Sequence, residues 1–226
     1  MRVRVTTTLA LTAAASLLLP ACSPSGAAPV RPSHSPAGPH ADASRPTAPL
    51  SSAALEARLL TESDLGIGYQ RKPDRAHQAA DTTVHGCPAL SALGSEAATV
   101  SLDFPHRAKT AFTTSGSAEF SEELYSNGAR TLAESIARIF DAMTGCPTYE
   151  VGIGGASIGV TTRPLSAPKL GDRQWSLQLT YAAGGQRTAL KQTAVLAGNV
   201  LVVVAGSPEL VDAHLAKAVG KARTSR

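Results

Sequence analysis

Two serines lie in spacings that catalytic serines use. The run Gly155-Ala156-Ser157-Ile158-Gly159 matches G-x-S-x-G, in which a strand, a sharp turn and a helix expose the serine hydroxyl as a nucleophile. The residues that follow, 160–164, are β-branched residues, an arginine and a proline, which predict a strand instead of the required helix. Acidic residues and a histidine do follow in triad order, so a serine hydrolase using Ser157 is kept as the alternative function (Asp172, Asp212 and His214).

A second serine belongs to the run Ser166-Ala167-Pro168-Lys169, which matches S-x-x-K. S-x-x-K is the signature of penicillin-interacting serine enzymes, and it works by placing serine and lysine on one helical turn, where Pro168 fits poorly. The K-T-G motif of those enzymes is absent from this sequence.

Paired acids such as Glu122-Glu123 are expected on solvated faces. The histidines outside the N-terminal region share no metal-binding spacing, so neither a metal nor another cofactor is expected (His77, His85, His106 and His214).

The three cysteines divide into one near the N-terminus and two in the body of the chain. Arg2 and Arg4 precede an uncharged apolar run over 9–19, which is too short to span a bilayer and fits a secretory signal. The run leads into Leu19-Pro20-Ala21-Cys22, a sequence similar to a bacterial lipobox. Cys22 is therefore predicted to become the first mature residue and to carry a diacylglycerol, as in lipoproteins anchored through palmitate-type acyl chains.

Cys87 and Cys146 then remain as an even pair in an oxidising compartment, and we expect them to form a disulfide. A catalytic thiol, or a metal site that uses His85 with Cys87, would need a free cysteine and partner ligands at matching spacing. The sequence contains no such set.

Composition separates a tether from a folded domain. Residues 23–49 are dominated by Ser, Pro, Ala and Gly and include seven prolines, so this segment cannot bury enough apolar surface to fold. The predicted organisation is a signal peptide over 1–21, a lipidated and disordered tether over 22–49, and one domain over 50–226. From residue 50 onward 17 basic residues face 16 acidic ones, which argues against a nucleic-acid-binding surface.

Local patterns predict the elements of that domain. An opening helix, a short helix after Cys87, strands near 98–104 and 109–125, and irregular structure over 70–86 are expected. Asn127 is the expected N-cap of an amphipathic helix that ends at Gly145, because apolar residues recur there at helical spacing (Leu132, Ile136, Ile139, Phe140 and Met143).

The C-terminal third predicts a meander of strands. Short strands are expected at 149–151 and 157–162, then a Gly184-Gly185 hairpin and a Gly198-Asn199 turn separate three longer ones. Ser207, Pro208 and Glu209 predict the start of a final helix. Strands followed by helices on one side, without βαβ alternation, indicate an α+β fold with an antiparallel sheet flanked by helices.

Several of these features recur together in one order: Leu59-Leu60, Ser63-Asp64-Leu65 and Gly68-Tyr69, then Cys87-Pro88, the amphipathic helix ending at Cys146-Pro147, and the run over 198–204. In this arrangement the chain, over roughly 53–224, resembles the PknH-like extracellular sensor domains of actinobacteria and their stand-alone lipoprotein relatives. The resemblance implies an antiparallel sheet flanked by helices, with a solvent-exposed cleft for an unknown ligand. Members often carry two disulfides, whereas this chain can form only one within its domain.

The sequence thus predicts a lipoprotein anchored on the extracytoplasmic face of the cell membrane, with a sensor-like domain that binds an unknown small ligand or an envelope protein. No catalysis is expected, and the alternative is an envelope serine hydrolase. No motif identifies the ligand-binding residues.

Overall fold

The computed structural model describes residues 48–73, 82–94, 102–116 and 118–224. The predicted signal peptide, Cys22 and nearly all of the predicted tether lie outside these ranges. The described residues form five helices and nine strands: α1 (Ser52–Glu56), α2 (Glu62–Leu65), β1 (Tyr69–Arg71), β2 (Thr82–His85), α3 (Pro88–Ser91), β3 (Arg107–Thr114), β4 (Glu119–Ser126), α4 (Ala129–Gly145), β5 (Thr148–Ile153), β6 (Ala156–Pro164), β7 (Arg173–Ala183), β8 (Gln186–Ala197), β9 (Val200–Gly206) and α5 (Pro208–Arg223).

All nine strands join one antiparallel sheet in the order β1-β3-β4-β9-β8-β7-β6-β5-β2, which confirms the predicted α+β fold. The expectation that the helices lie on one side is wrong, because α4 and α5 pack against opposite faces. Side chains alternate along β9, so Leu201 and Val203 contribute to the core beneath α4, while Val202 and Val204 contribute to the core beneath α5. The continuous apolar run of β9 reflects this burial on both faces.

Helix α4 forms as its apolar spacing predicts, with Leu132, Ile136 and Met143 fully buried. It begins one residue later than expected, because Gly128 occupies the N-cap position. Asn127 instead accepts a hydrogen bond of 2.7 Å from the Gly128 amide through Oδ1.

The segment before α4 differs most from expectation. The predicted strand over 109–125 is a hairpin of β3 and β4, because Ser115 and Gly116 reverse the chain. Residues 70–86, expected to be irregular, contribute the short edge strands β1 and β2. Of the strand expected near 98–104, only 102–104 is described, and it is not a strand.

The C-terminal meander follows the sequence closely. Gly184 and Gly185 have φ values of +57° and +81°, as the tight turn between β7 and β8 requires, and Ser207 precedes α5. Within the described ranges, no helix is long and apolar enough to cross a membrane.

Candidate functional site

Helix α4 covers only part of its sheet face. Its buried side chains pack on Leu177 of β7, Ala194 of β8 and Val203 of β9. Beyond this contact, toward the β5–β6 and β7–β8 turns, the same face forms a cleft lined by strand residues alone: Val151, Ile153, Ile158, Leu179, Tyr181, Leu190, Gln192 and Ala205.

Register places the cleft residues side by side. Three antiparallel pairs, Val151 with Ile158, Leu179 with Leu190, and Gln192 with Ala205, span five consecutive strands. Residues opposite each other in a sheet point to the same face, so one patch of the sheet collects all of these side chains. The cleft has a volume of about 200 Å³ and opens to solvent where the Ile153 side chain is 39% exposed.

The chemistry of the lining is nearly uniform. Six of the eight residues are aliphatic, and none of these described side chains carries a charge. Such a surface favours apolar groups and cannot neutralise an ionic one.

Gln192 is one of the two lining residues of the cleft that carry a polar group. The alternation Leu190, Gln192, Ala194 and Leu196 turns its side chain toward the apolar side of β8, where it is 5% exposed. Its Oε1 atom has no hydrogen-bond partner among the described residues. A buried carbonyl oxygen without a donor costs about 1–3 kcal/mol, so a ligand donor that reaches Oε1 from the cleft would recover that free energy.

Tyr181 supplies a second polar group at the cleft. Burial, together with the neighbouring Tyr149, raises the pKa of its hydroxyl to about 12. The phenol therefore remains neutral at physiological pH, where it presents a ring and an uncharged hydroxyl.

A second cavity, of about 300 Å³, lies beside the C-terminal part of α4 and includes Asp141, Thr144 and Trp175 in its lining. The S-x-x-K serine, Ser166, belongs to the adjoining non-helical segment between β6 and β7, so Ser166 and Lys169 do not share a helical turn. The motif therefore lacks the geometry that catalysis requires.

The predicted nucleophile Ser157 does not occupy an elbow. It lies within β6, after the Gly154-Gly155 turn, and its Oγ donates to Glu150 Oε2 over 3.1 Å. The alternation of β6 places Ser157 on the face opposite the cleft.

The predicted triad partners are each engaged elsewhere. His214 Nε2 lies 2.7 Å from the Tyr69 hydroxyl, and Asp212 Oδ1 forms an ion pair of 2.5 Å with Lys191. Asp172 accepts a hydrogen bond from the Gly198 amide. The structure does not bring these residues together with Ser157.

Cys87 and Cys146 form the expected disulfide, with their Cα atoms 5.6 Å apart. The bond joins the N-cap of α3 to the C-cap of α4. Because the sulfur atoms are bonded to each other, Cys87 offers no thiolate to a metal, and His85 Nε2 is instead hydrogen-bonded to Thr83 Oγ1.

The expectation that Glu122 lies on a solvated face is wrong. Its side chain is fully buried on the α5 side of β4, and its Oε2 accepts a hydrogen bond of 2.7 Å from the Leu60 amide. Burial raises the pKa of the carboxyl to about 7; the hydrogen bond from the Leu60 amide and the charge of Lys221 oppose this shift, and Asp64 adds to it. The alternation Phe120, Glu122, Leu124 in the sequence is the signal that could have placed it inward.

Sequence reasoning also missed Gln192. The strand that contains it was expected, and its position between Leu190 and Ala194 at a spacing of two could have marked it as an inward polar residue. What the sequence could not supply is the missing hydrogen-bond donor, because that depends on the strands on either side.

No protein-family model matches the sequence, and no curated protein matches it either. Among solved structures, the chain is similar to the extracellular domain of PknH from Mycobacterium tuberculosis, with a TM-score of 0.61 and 15% sequence identity. That similarity covers 78% of this chain and 98% of the other. A putative uncharacterized protein from Mycobacterium smegmatis matches at a TM-score of 0.42 and 14% identity, covering 77% and 98% of the two chains. The first likeness establishes a shared fold, as the sequence resemblance implied.

Proposed function

We propose that the chain is a lipoprotein, anchored through Cys22 on the extracytoplasmic face of the cell membrane. Residues 50–226 act as a sensor-like domain that binds a small ligand in the cleft of β5–β9 and catalyses no reaction. The single observation that carries the ligand-binding function is the buried, unpartnered Oε1 of Gln192 in a mainly apolar cleft.

The anchor is supported by the order of the N-terminal residues. A short basic start, an apolar run that is too short to span a bilayer, and a lipobox-like Leu19-Pro20-Ala21-Cys22 follow one another. The proline-rich segment over 23–49 would hold the domain roughly 30 Å from the lipid. The disulfide of Cys87 and Cys146 agrees with an oxidising compartment.

A binding role is supported by the form of the cleft. Binding sites are concave, mainly apolar and provided with a few polar groups that fix the ligand, which is the composition of this cleft. The likeness in fold to the extracellular domain of PknH supports an extracytoplasmic domain. The separation of Ser157 from His214 gives the hydrolase alternative no support.

The anchor is tested by comparing the wild-type chain with Cys22→Ala in cells. Mass spectrometry of the wild-type protein should find an N-terminal cysteine that carries acyl chains, and the protein should enter the detergent phase on phase separation. The variant should lose both properties. An unmodified Cys22 in the wild-type protein would contradict the anchor.

Ligand binding is tested on the mature chain, residues 22–226, with Cys22→Ser so that no lipid competes for the cleft. Its methyl and amide resonances are followed during titration with a fragment collection that contains neutral, anionic and cationic members. At least one fragment should shift the resonances of Ile158, Leu179 and Leu190 together. A collection that shifts no cleft resonance would contradict the proposed function.

A further inference from the structure

The ligand class follows from the size, charge and hydrogen bonding of the cleft, and it rests on the proposed function. We infer that the cleft accepts an uncharged, mainly apolar group, about the size of a substituted benzene ring, whose one hydroxyl or N–H donates a hydrogen bond to Gln192 Oε1. Alcohols, phenols and secondary amides on an apolar body belong to this class.

Size sets the first limit. Sites for drug-sized ligands have volumes of about 300–1,000 Å³, whereas an apolar cavity of about 150 Å³ is filled by benzene. At about 200 Å³ the cleft has room for one ring with a short substituent, or for the end of a larger molecule that continues past Ile153 into solvent.

Charge sets the second limit. The nearest charged residue along β8, Lys191, points to the opposite face, where its ammonium group is paired with Asp212. Glu150 and Arg163 also belong to that opposite face and contact Ser157 and Gln178 there. A charged ligand group in the cleft would lose its hydration without gaining a counter-ion, which is strongly unfavourable.

Hydrogen bonding sets the third limit. Gln192 Oε1 is an acceptor only, and no described donor reaches it. A ligand hydroxyl or N–H would pair with it, whereas an ether or a ketone of the same shape would leave it unpaired. Beside Gln192 Oε1, the cleft should therefore favour a ligand donor over a ligand acceptor.

Three probes of nearly equal shape test this class on the mature chain with Cys22→Ser. These are 4-ethylphenol as a neutral donor, 4-ethylanisole as its donor-free ether, and 4-ethylbenzoate as an anion. Binding is measured by titration of the methyl resonances of Ile158, Leu179 and Leu190 and of the side-chain amide of Gln192. We expect the phenol to bind about tenfold or more tightly than the ether, and the benzoate to leave the cleft resonances unshifted.

Two variants test whether the preference for the phenol over the ether depends on Gln192 Oε1. Gln192→Leu should abolish the preference for the phenol over the ether, because the acceptor is gone while the apolar lining remains. Gln178→Leu is the matched control: it makes the same replacement on the neighbouring strand β7, where the side chain is bonded to Arg163 on the opposite face. It should keep the preference of the wild-type chain.

The outcomes separate the ligand class from the proposed function. Equal binding of phenol and ether, stronger binding of the benzoate, or a preference that survives Gln192→Leu would overturn the ligand class. If the cleft resonances shift only with charged fragments, the ligand class is wrong and the ligand-binding function stands. If neither the three probes nor the fragment collection shifts these resonances, both are overturned.

Discussion

The main-chain amide of Leu60 donates a hydrogen bond of 2.7 Å to Glu122 Oε2, so a carboxyl within the sheet holds the connection between α1 and α2. The two residues are 62 positions apart in the chain, and Leu60 is buried over the α5 side of the sheet. The other oxygen, Oε1, has no partner among the described residues. Glu122 is therefore a buried acid whose ionisation is linked to the packing of the N-terminal helices.

Glu122→Gln should change how stability depends on pH. Burial raises the pKa of Glu122 from 4.5 to about 7 in the folded chain, so the folded state retains a proton that the unfolded state releases. The resulting stabilisation is complete below pH 4.5 and is lost as the pH rises to about 7, which amounts to roughly 3 kcal/mol. The difference in unfolding free energy between wild type and variant should follow this course in urea titrations.

The difference in unfolding free energy between wild type and Glu122→Gln is needed, because His214 changes the stability with pH in the opposite direction in both proteins. Burial lowers its pKa, so its contribution is present at neutral pH and is lost as the pH falls. Glu134→Gln, on the exposed face of α4, is the control and should give a nearly constant difference over the same range. A constant difference for Glu122→Gln would contradict the raised pKa.

Gln192→Leu should make the ligand-free protein more stable. The replacement removes an unpartnered buried oxygen and keeps a side chain of similar volume in the cleft, which should add about 1–2 kcal/mol to the unfolding free energy. Chemical denaturation at constant pH measures this, and Gln178→Leu should show no comparable gain. A loss of stability in Gln192→Leu would mean that Oε1 has a partner in solution.

The disulfide should contribute a large share of the stability. Replacing both Cys87 and Cys146 by Ala opens a loop with a sequence separation of 59, and the chain-entropy model gives a loss of up to about 4 kcal/mol. Denaturation with and without a reducing agent measures the effect. Reduction should lower the stability of the wild-type chain and leave the double variant unchanged, whereas an unchanged wild-type chain would contradict a formed disulfide.

The sequence predicts those parts of the fold that local chemistry decides. Helix α4 follows from apolar spacing, and the turns at Gly184-Gly185 and Gly198-Asn199 follow from glycines at positions of positive φ. The edge strand β1, with three residues and little burial, has too short a pattern to be recognised. Chain order also does not reveal that β9 lies between β4 and β8, or that α4 and α5 pack on opposite faces of the sheet.

The candidate site depends on contacts between strands and residues that are far apart in the sequence. The alternation along β8 could have turned Gln192 inward, but the cleft exists only because β5, β6 and β7 continue the face that α4 leaves uncovered. Glu122 likewise acquires its environment from Leu60, far along the chain. Motif matching pointed to Ser157, whose strand conformation depends on its pairing with Gly152 of β5.

Filling the cleft tests the central claim most directly. Ala205→Leu places three further carbon atoms in the cleft from β9, while Ala189→Leu adds the same atoms to the exposed opposite face of β8. Saturating 4-ethylphenol should shift the Ile158, Leu179 and Leu190 methyl resonances of the wild-type chain and of Ala189→Leu, and leave those of Ala205→Leu in place. Equal shifts in all three proteins would contradict a ligand site in this cleft, and no shift in the wild-type chain would contradict the ligand class inferred above.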